Sequence, residues 1–203
     1  MRKKGSQDAH FFEVPGRVLH LDSDEEYREL CQMHYSQLGV PCRVVQVSER
    51  DQPEAVQDYL REERPDILVL TGHDGMFKGA RDLYKMTNYR HSRYFVDAVR
   101  KAREYEPGLD NLIIIAGGCH SYFEALIESG ANFASSPKRI MIHALDPLLI
   151  AHHIAFTSIY DKIALPQFLE ETMTGSRGMG GVQTRGKLRL GHPPIRASGK
   201  RTG

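Results

Sequence analysis

Hydrophobic positions along this 203-residue chain fall into two alternating textures: short β-branched runs, and longer stretches with apolar residues three or four apart. GRVLHLD (16–22), CRVVQVS (42–48), DILVLTG (66–72), NLIIIAGG (111–118) and RIMIHAL (139–145) predict strands. Asp24 is placed to cap a helix in which Tyr27, Leu30, Cys31, His34 and Leu38 share one face and which Gly39 stops. Pro53 suits the first turn of a second helix running to about Glu63. Tyr94, Phe95, Ala98, Val99 and Ala102 mark a third, and further helices are expected over about 121–129, 147–156 and 166–173. Strands in regular alternation with helices form parallel βαβ units with right-handed crossovers. The predicted fold is therefore α/β: a doubly wound, mostly parallel sheet with helices on both faces.

Three stretches break the alternation. Residues 74–90 have no clean period and read as a long loop, a length that in compact domains usually serves function. Residues 1–14 are polar and expected to be flexible. After Thr174 the chain turns to Gly, Arg, Lys and Pro, so 175–203 is expected to be mostly irregular and its end disordered. Within it, 175–191 has the alternative of packing on the core as a strand or loop. The folded domain is thus placed at 15–174.

Charge and composition narrow the partners. Lys plus Arg number 27 against 26 for Asp plus Glu, a formal net charge of +1, which gives no electrostatic reason to expect nucleic acid. No apolar run approaches the roughly 18 residues of a membrane span, and no apolar segment follows the basic start MRKKGSQDAH, so neither membrane nor secretion is expected. Cys31, Cys42 and Cys119 cannot all pair within one chain, and their spacing fits no zinc knuckle. A free thiol in a reducing compartment, with no metal or other cofactor, is the expectation.

In a parallel sheet, reactive groups gather at the carboxyl ends of the strands. DILVLTG runs into His73-Asp74-Gly75, and NLIIIAGG into Cys119-His120-Ser121. If those two strands are neighbours, an imidazole and a thiol share one rim, as nucleophilic catalysis by cysteine requires. A lone cysteine at a strand end is more often inert packing, and a lone histidine there a surface residue. Together at adjacent strand ends, they read as general base and nucleophile. Cys31 and Cys42 read as core or boundary residues. Ser121 with Glu124 matches a capping box, which would start a helix just past Cys119 and favour its thiolate. Gly117 and Gly118 would let a substrate backbone approach. The Cys119 amide, with that of Asp74 or Gly75, would serve an oxyanion. His91 and His120 read as supporting residues.

A strand ending in His-x-Gly followed about 46 residues later by small-small-Cys resembles the caspase-like pattern, in which the separation is roughly 50. PGRVLHLD, RPDILVLTGHD, NYRHSRYFVDAVRKAREYEP, IIIAGGCHSYFEALIESGANFASSPKR and IHALDP together resemble the YabG family of sporulation-specific proteases, from about Pro15 to about Gly191. The resemblance implies a caspase-like (clan CD) cysteine endopeptidase core with a flavodoxin-like three-layer sandwich. It places the catalytic pair on His73 and Cys119. It also implies spore coat and cortex-associated proteins as substrates, and the mother-cell cytoplasm of a sporulating bacterium, at or near the spore coat, as the location. Family members usually carry a small N-terminal β domain, which this chain is expected to lack.

Arginine-specific relatives imply a preference for cleavage after Arg, which needs an acid in the substrate pocket. Asp74, Asp82 and Asp146 are the candidates, and Arg177-Gly178 and Arg185-Gly186 would then be self-processing sites. A receiver-like signalling domain is the main rival reading. LHLDSDEE resembles an acidic pocket in which Asp22 and Asp24 would hold Mg²⁺, but the phosphoacceptor position carries Thr71-Gly72-His73. A glutamine amidotransferase fails for want of a later His-x-Glu.

Overall fold

The computed structural model describes residues 11–192. Its elements in chain order are β1 (Phe12–Val14), β2 (Val18–Asp22), α1 (Glu25–Gln37), β3 (Cys42–Gln46), α2 (Gln52–Glu63), β4 (Ile67–Leu70), α3 (Ser92–Tyr105) and β5 (Ile113–Ala116). There follow α4 (Phe123–Glu128), β6 (Phe133–Ser135), α5 (Asp146–Phe156), α6 (Leu165–Leu169), α7 (Gly175–Gly178), β7 (Met179–Gly181) and β8 (Arg189–Gly191). Six strands form one sheet in the order β3-β2-β4-β5-β6-β7, all parallel except β7. This is the doubly wound arrangement the alternation predicts.

The central strands β4 and β5 are apolar throughout because both sheet faces are covered. Val18, Val44, Ile67, Val69, Ile113 and Ile115 point to one face, where Cys31 and Tyr35 of α1 and Leu148, Ile150, Ala151 and Ile154 of α5 pack on them. Leu19, Leu21, Leu68, Leu70, Ile114 and Ala116 point to the other, against Val56 and Leu60 of α2 and Phe95, Val99 and Ala102 of α3. From β2 the chain goes first to β3 on one side and then to β4 on the other. The carboxyl ends of β2 and β4 therefore flank the switch point, where open α/β sheets form their crevice.

Local signals act as expected at several ends. The Asp24 carboxylate accepts the Glu26 and Tyr27 amides at the start of α1, so it is a helix cap rather than a cation ligand. Gly39, at φ 70°, ends that helix, and Pro53 lies in the first turn of α2. The loop 74–90 is long as expected, pinned by one 3₁₀ turn at Met86–Asn88 and a bridge between Met76 and Tyr89.

Two expectations fail. The fifth parallel strand is Phe133–Ser135, not 139–145. Ser136 and Arg139, both in the left-handed region at φ 61° and 52°, turn the chain out of the sheet. The apolar Ile140 and Ile142 that mimic a strand instead lie over the end of β5, where Ile140 accepts the His120 amide. The C-terminal stretch is also more ordered than its composition implies. β7 adds antiparallel to β6, and β8 pairs with β1, so Phe12–Val14 of the supposedly flexible start is a strand. Between them Lys187 is buried, its Nζ donating to the Asp110 and Asn111 carbonyls at 2.6 and 2.7 Å. Arg177 lies in α7, and the Gly186 amide after Arg185 donates to the Asp161 carbonyl, so neither bond sits in an open segment. The flexibility expected of 1–10 and 193–203 concerns residues outside the described ones.

Candidate active site

β4 and β5 are adjacent, with Leu70 opposite Ala116, so the segments leaving their carboxyl ends start side by side. At Gly118 the two come so close that an added Cβ would stand 2.2 Å from the Gly72 carbonyl oxygen and 3.4 Å from the Asp74 nitrogen. Position 118 therefore needs glycine for the contact between the two loops, not only for a substrate. His73, Asp74, Cys119 and His120 then line one cavity of about 340 Å³ together with Asp22, Tyr27, Thr71, Met141, Ile142 and Pro147.

The sulfur of Cys119 is partly exposed and accepts the Ile142 amide at 3.4 Å. That donor comes from the segment that replaces the expected fifth strand. The helix expected at Cys119 starts only at Phe123 and runs six residues, so its terminus is not at the thiol. The capping box does not form either. The Ser121 hydroxyl instead accepts the Gly118 amide and donates to Asp74, while Glu124 pairs with Arg139. The other two thiols are masked: burial pushes Cys31 up to about 12 and raises Cys42 as well.

His73 is held through its backbone. Its amide donates to Glu49 Oε1 at 2.7 Å, and its carbonyl accepts His91 Nδ1 at 2.6 Å. Nδ1 of its ring lies 3.8 Å from Glu49 Oε1 and Nε2 lies 3.6 Å from Asp24 Oδ2. The ring makes no hydrogen bond to the sulfur among the described residues, and at 62 % side-chain exposure it is free to swing. Glu49, which also accepts the Ser23 hydroxyl at 2.6 Å, was not singled out by sequence. It follows β3 in VSERDQ, a run with no motif, and only the fold brings it under His73. If it orients the imidazole, Glu49→Gln lowers kcat roughly tenfold or more while KM and the melting temperature hold. Steady-state kinetics beside a thermal melt checks this, and an unchanged kcat removes Glu49 from the site's machinery.

The Asp74 carboxylate is consumed internally. Oδ1 accepts the Gly75 and His91 amides, both at 2.8 Å, and Oδ2 accepts the Ser92 and Ser121 hydroxyls. This clamps the β4 loop to the start of α3 and to the β5 loop. It removes Asp74 as a pocket acid and takes the Gly75 amide out of the oxyanion donors. The amides of Asp74 and Cys119 themselves donate to nothing among the described residues. Asp146 is buried and accepts the His143 and Met173 amides and the Thr174 hydroxyl, tying α5 to the segment before α7, and it does not line the cavity. Asp82 is exposed in the 74–90 loop and accepts the Tyr84 amide, also away from the cavity.

Beneath the cavity lies a polar relay. Thr71 donates to Asp22 Oδ2, which leaves its lone pair for His20 Nε2–H at 2.6 Å, and His20 Nδ1 then takes the Tyr35 hydroxyl at 3.4 Å. Burial pushes the His20 imidazole down to about 4 from an ordinary value of 6.5. Between those values the unfolded chain binds a proton that the folded chain does not, so stability is full above pH 6.5 and is lost as pH falls toward 4. The loss is on the order of 3 kcal/mol. Urea unfolding from pH 7 to 4 should show it, reduced in His20→Gln; an equal slope in both variants would assign the loss elsewhere.

Among the described residues, no helix is long and apolar enough to cross a membrane, and no group of three or more His, Cys, Asp or Glu could hold a metal ion. Comparison with solved structures returns NtrX from Brucella abortus (16% identity, 69% of this chain and 26% of that one) and a putative response regulator from Chloroflexus aurantiacus J-10-fl (17% identity, 69% and 97%). Both give a TM-score of 0.42. The sporulation-specific protease YabG of Bacillus subtilis (strain 168) is 46% identical over 184 residues, covering 91% of this chain, which spans 63% of that protein's length. The family model for YabG peptidase U57 matches residues 1–193. With nearly the whole chain matched by that model, the protein belongs to the YabG peptidase family.

Proposed function

We propose that this chain is the core of a cysteine endopeptidase that acts on proteins of a sporulating cell. The observation that carries the reading is the placement of His73 and Cys119 just past adjacent parallel strand ends, lining one cavity with two backbone amides beside them that have no acceptor among the described residues. His73 swings toward the sulfur and takes the thiol proton, and the thiolate attacks the substrate carbonyl. The oxyanion that forms is held by the Cys119 and Asp74 amides, which are preorganised by the Asp74 clamp. His73 returns its proton to the leaving amine as the C–N bond breaks, leaving a thioester on Cys119. Water, deprotonated by His73, then cleaves the thioester and restores the thiol.

The family and the Bacillus subtilis relative support proteolysis during sporulation. Spore coat and cortex-associated proteins as substrates, and the mother-cell cytoplasm as the place of action, belong to the same proposal. The receiver-like alternative has no support at the acceptor position, where Thr71 is buried and already donates to Asp22. A fluorogenic peptide library tests the proposal. Cleavage is expected, strongest after arginine and blocked by iodoacetamide; a chain that cleaves nothing, or is indifferent to thiol alkylation, overturns it.

A further inference from the structure

We propose that Asp22, rather than any of the three acids picked from sequence, forms the floor of a subsite for a cationic side chain on the residue whose carbonyl is attacked. The inference rests on the peptidase reading above and adds the residue that sets its specificity. Asp22 ends β2 at the switch point of the sheet and lines the same cavity as His73 and Cys119. It is 4 % exposed, yet no Lys or Arg pairs with it among the described residues. The nearest basic group, His20 Nε2 at 3.8 Å, is held neutral by burial at ordinary pH. A buried carboxylate without a cation is costly, and a ligand's positive charge relieves that cost.

The rest of the cavity suits the same occupant. Tyr27, Met141, Ile142 and Pro147 offer apolar surface for an aliphatic stem, and among the described residues no Lys or Arg lines it to repel a cation. The Asp24 amide holds Oδ1 at 2.8 Å and the Thr71 hydroxyl holds Oδ2, so the carboxylate is fixed in place with a lone pair left on each oxygen. Two such oxygens match the planar fork of a guanidinium better than the single point of an ammonium, which ranks arginine above lysine. Asp74 has no such spare capacity, and Asp146 and Asp82 lie outside the cavity lining.

The test uses peptides identical except at that residue: arginine, lysine, citrulline and methionine. Citrulline copies the shape of arginine without its charge. Wild type is expected to cleave the arginine peptide about 100-fold or more faster in kcat/KM than the citrulline peptide. Asp22→Asn is expected to bring that ratio near one, because arginine turnover falls far more than citrulline turnover. A wild-type ratio below about three, or a variant that loses both activities equally, overturns the role of Asp22 and leaves the peptidase reading standing. The wild-type ratio needs no variant, so it decides even where Asp22→Asn does not fold. Calorimetric binding of the arginine and citrulline peptides to Cys119→Ala separates the two readings. Preference for arginine there, with no turnover by wild type, keeps the Asp22 subsite and discards the peptidase; equal binding of both peptides discards the subsite.

Discussion

Cys119→Ala and His73→Ala each lower peptide turnover by at least about 1,000-fold without loss of the folded state. In the proposed mechanism the two groups act as a unit: the sulfur forms the bond to the acyl group and the imidazole moves the proton, so the loss of either would stop the same step. Neither side chain is part of the core. Cys119 is partly exposed with only the Ile142 amide and carbonyl near its sulfur, and the His73 ring is mostly in solvent, so melting temperatures should hardly move. The other thiols supply the control. Cys42→Ser should keep turnover within about twofold, since that thiol lies at the start of β3 and is held protonated by burial. Cys31, which packs against the sheet under α1, should cost stability rather than turnover when replaced.

Asp74→Ala has the largest expected effect on stability. One carboxylate takes two amides and two hydroxyls there, and both Ser92 and Ser121 are fully buried. Alanine leaves all four donors without their acceptor at the point where the β4 loop, the start of α3 and the β5 loop meet. The expected loss is about 3 kcal/mol or more, because unsatisfied buried donors keep their full desolvation cost. Turnover should fall with it, since the Asp74 amide and His73 both lie on the loop that comes free. Urea unfolding followed by circular dichroism measures the first effect. A midpoint equal to wild type would mean that the four bonds contribute nothing and that the loop is held by other means.

The parallel sheet and its helices were legible because their signals are local: continuous apolar runs for strands covered on both faces, Asp24, Gly39 and Pro53 at helix ends. Phe133–Ser135 was not legible, since three residues between Asn132 and a left-handed Ser136 leave no period to read. Ile140 and Ile142 imitate a strand because covering a reactive rim demands the same apolar residues as filling a sheet. β7 is nearly all glycine, Met179–Gly181, and earns its place only by pairing with β6, which no composition records.

At the candidate site, the meeting of His73 and Cys119 on one rim could be read because each lies just past the end of a recognisable strand. The acids could not be ranked that way. Asp74, Asp82 and Asp146 stand near the right strand ends, but the number of donors aimed at each carboxylate depends on Ser92, Ser121, Met173 and Thr174, distant in sequence. Asp22 shows the reverse: it reads as part of an acidic cluster, and only the neighbouring β4 with Thr71 turns it toward the cavity. Glu49 is the same kind of residue, brought to His73 by the turn after β3.

The claim that Cys119 is the nucleophile is tested most directly by labelling the chain with a peptide chloromethyl ketone carrying arginine next to the reactive carbon. Peptide mass mapping then locates the modified residue. The account predicts one label, on Cys119, absent from Cys119→Ala and slowed in His73→Ala. A label on Cys31 or Cys42, or loss of turnover with Cys119 unmodified, would contradict it.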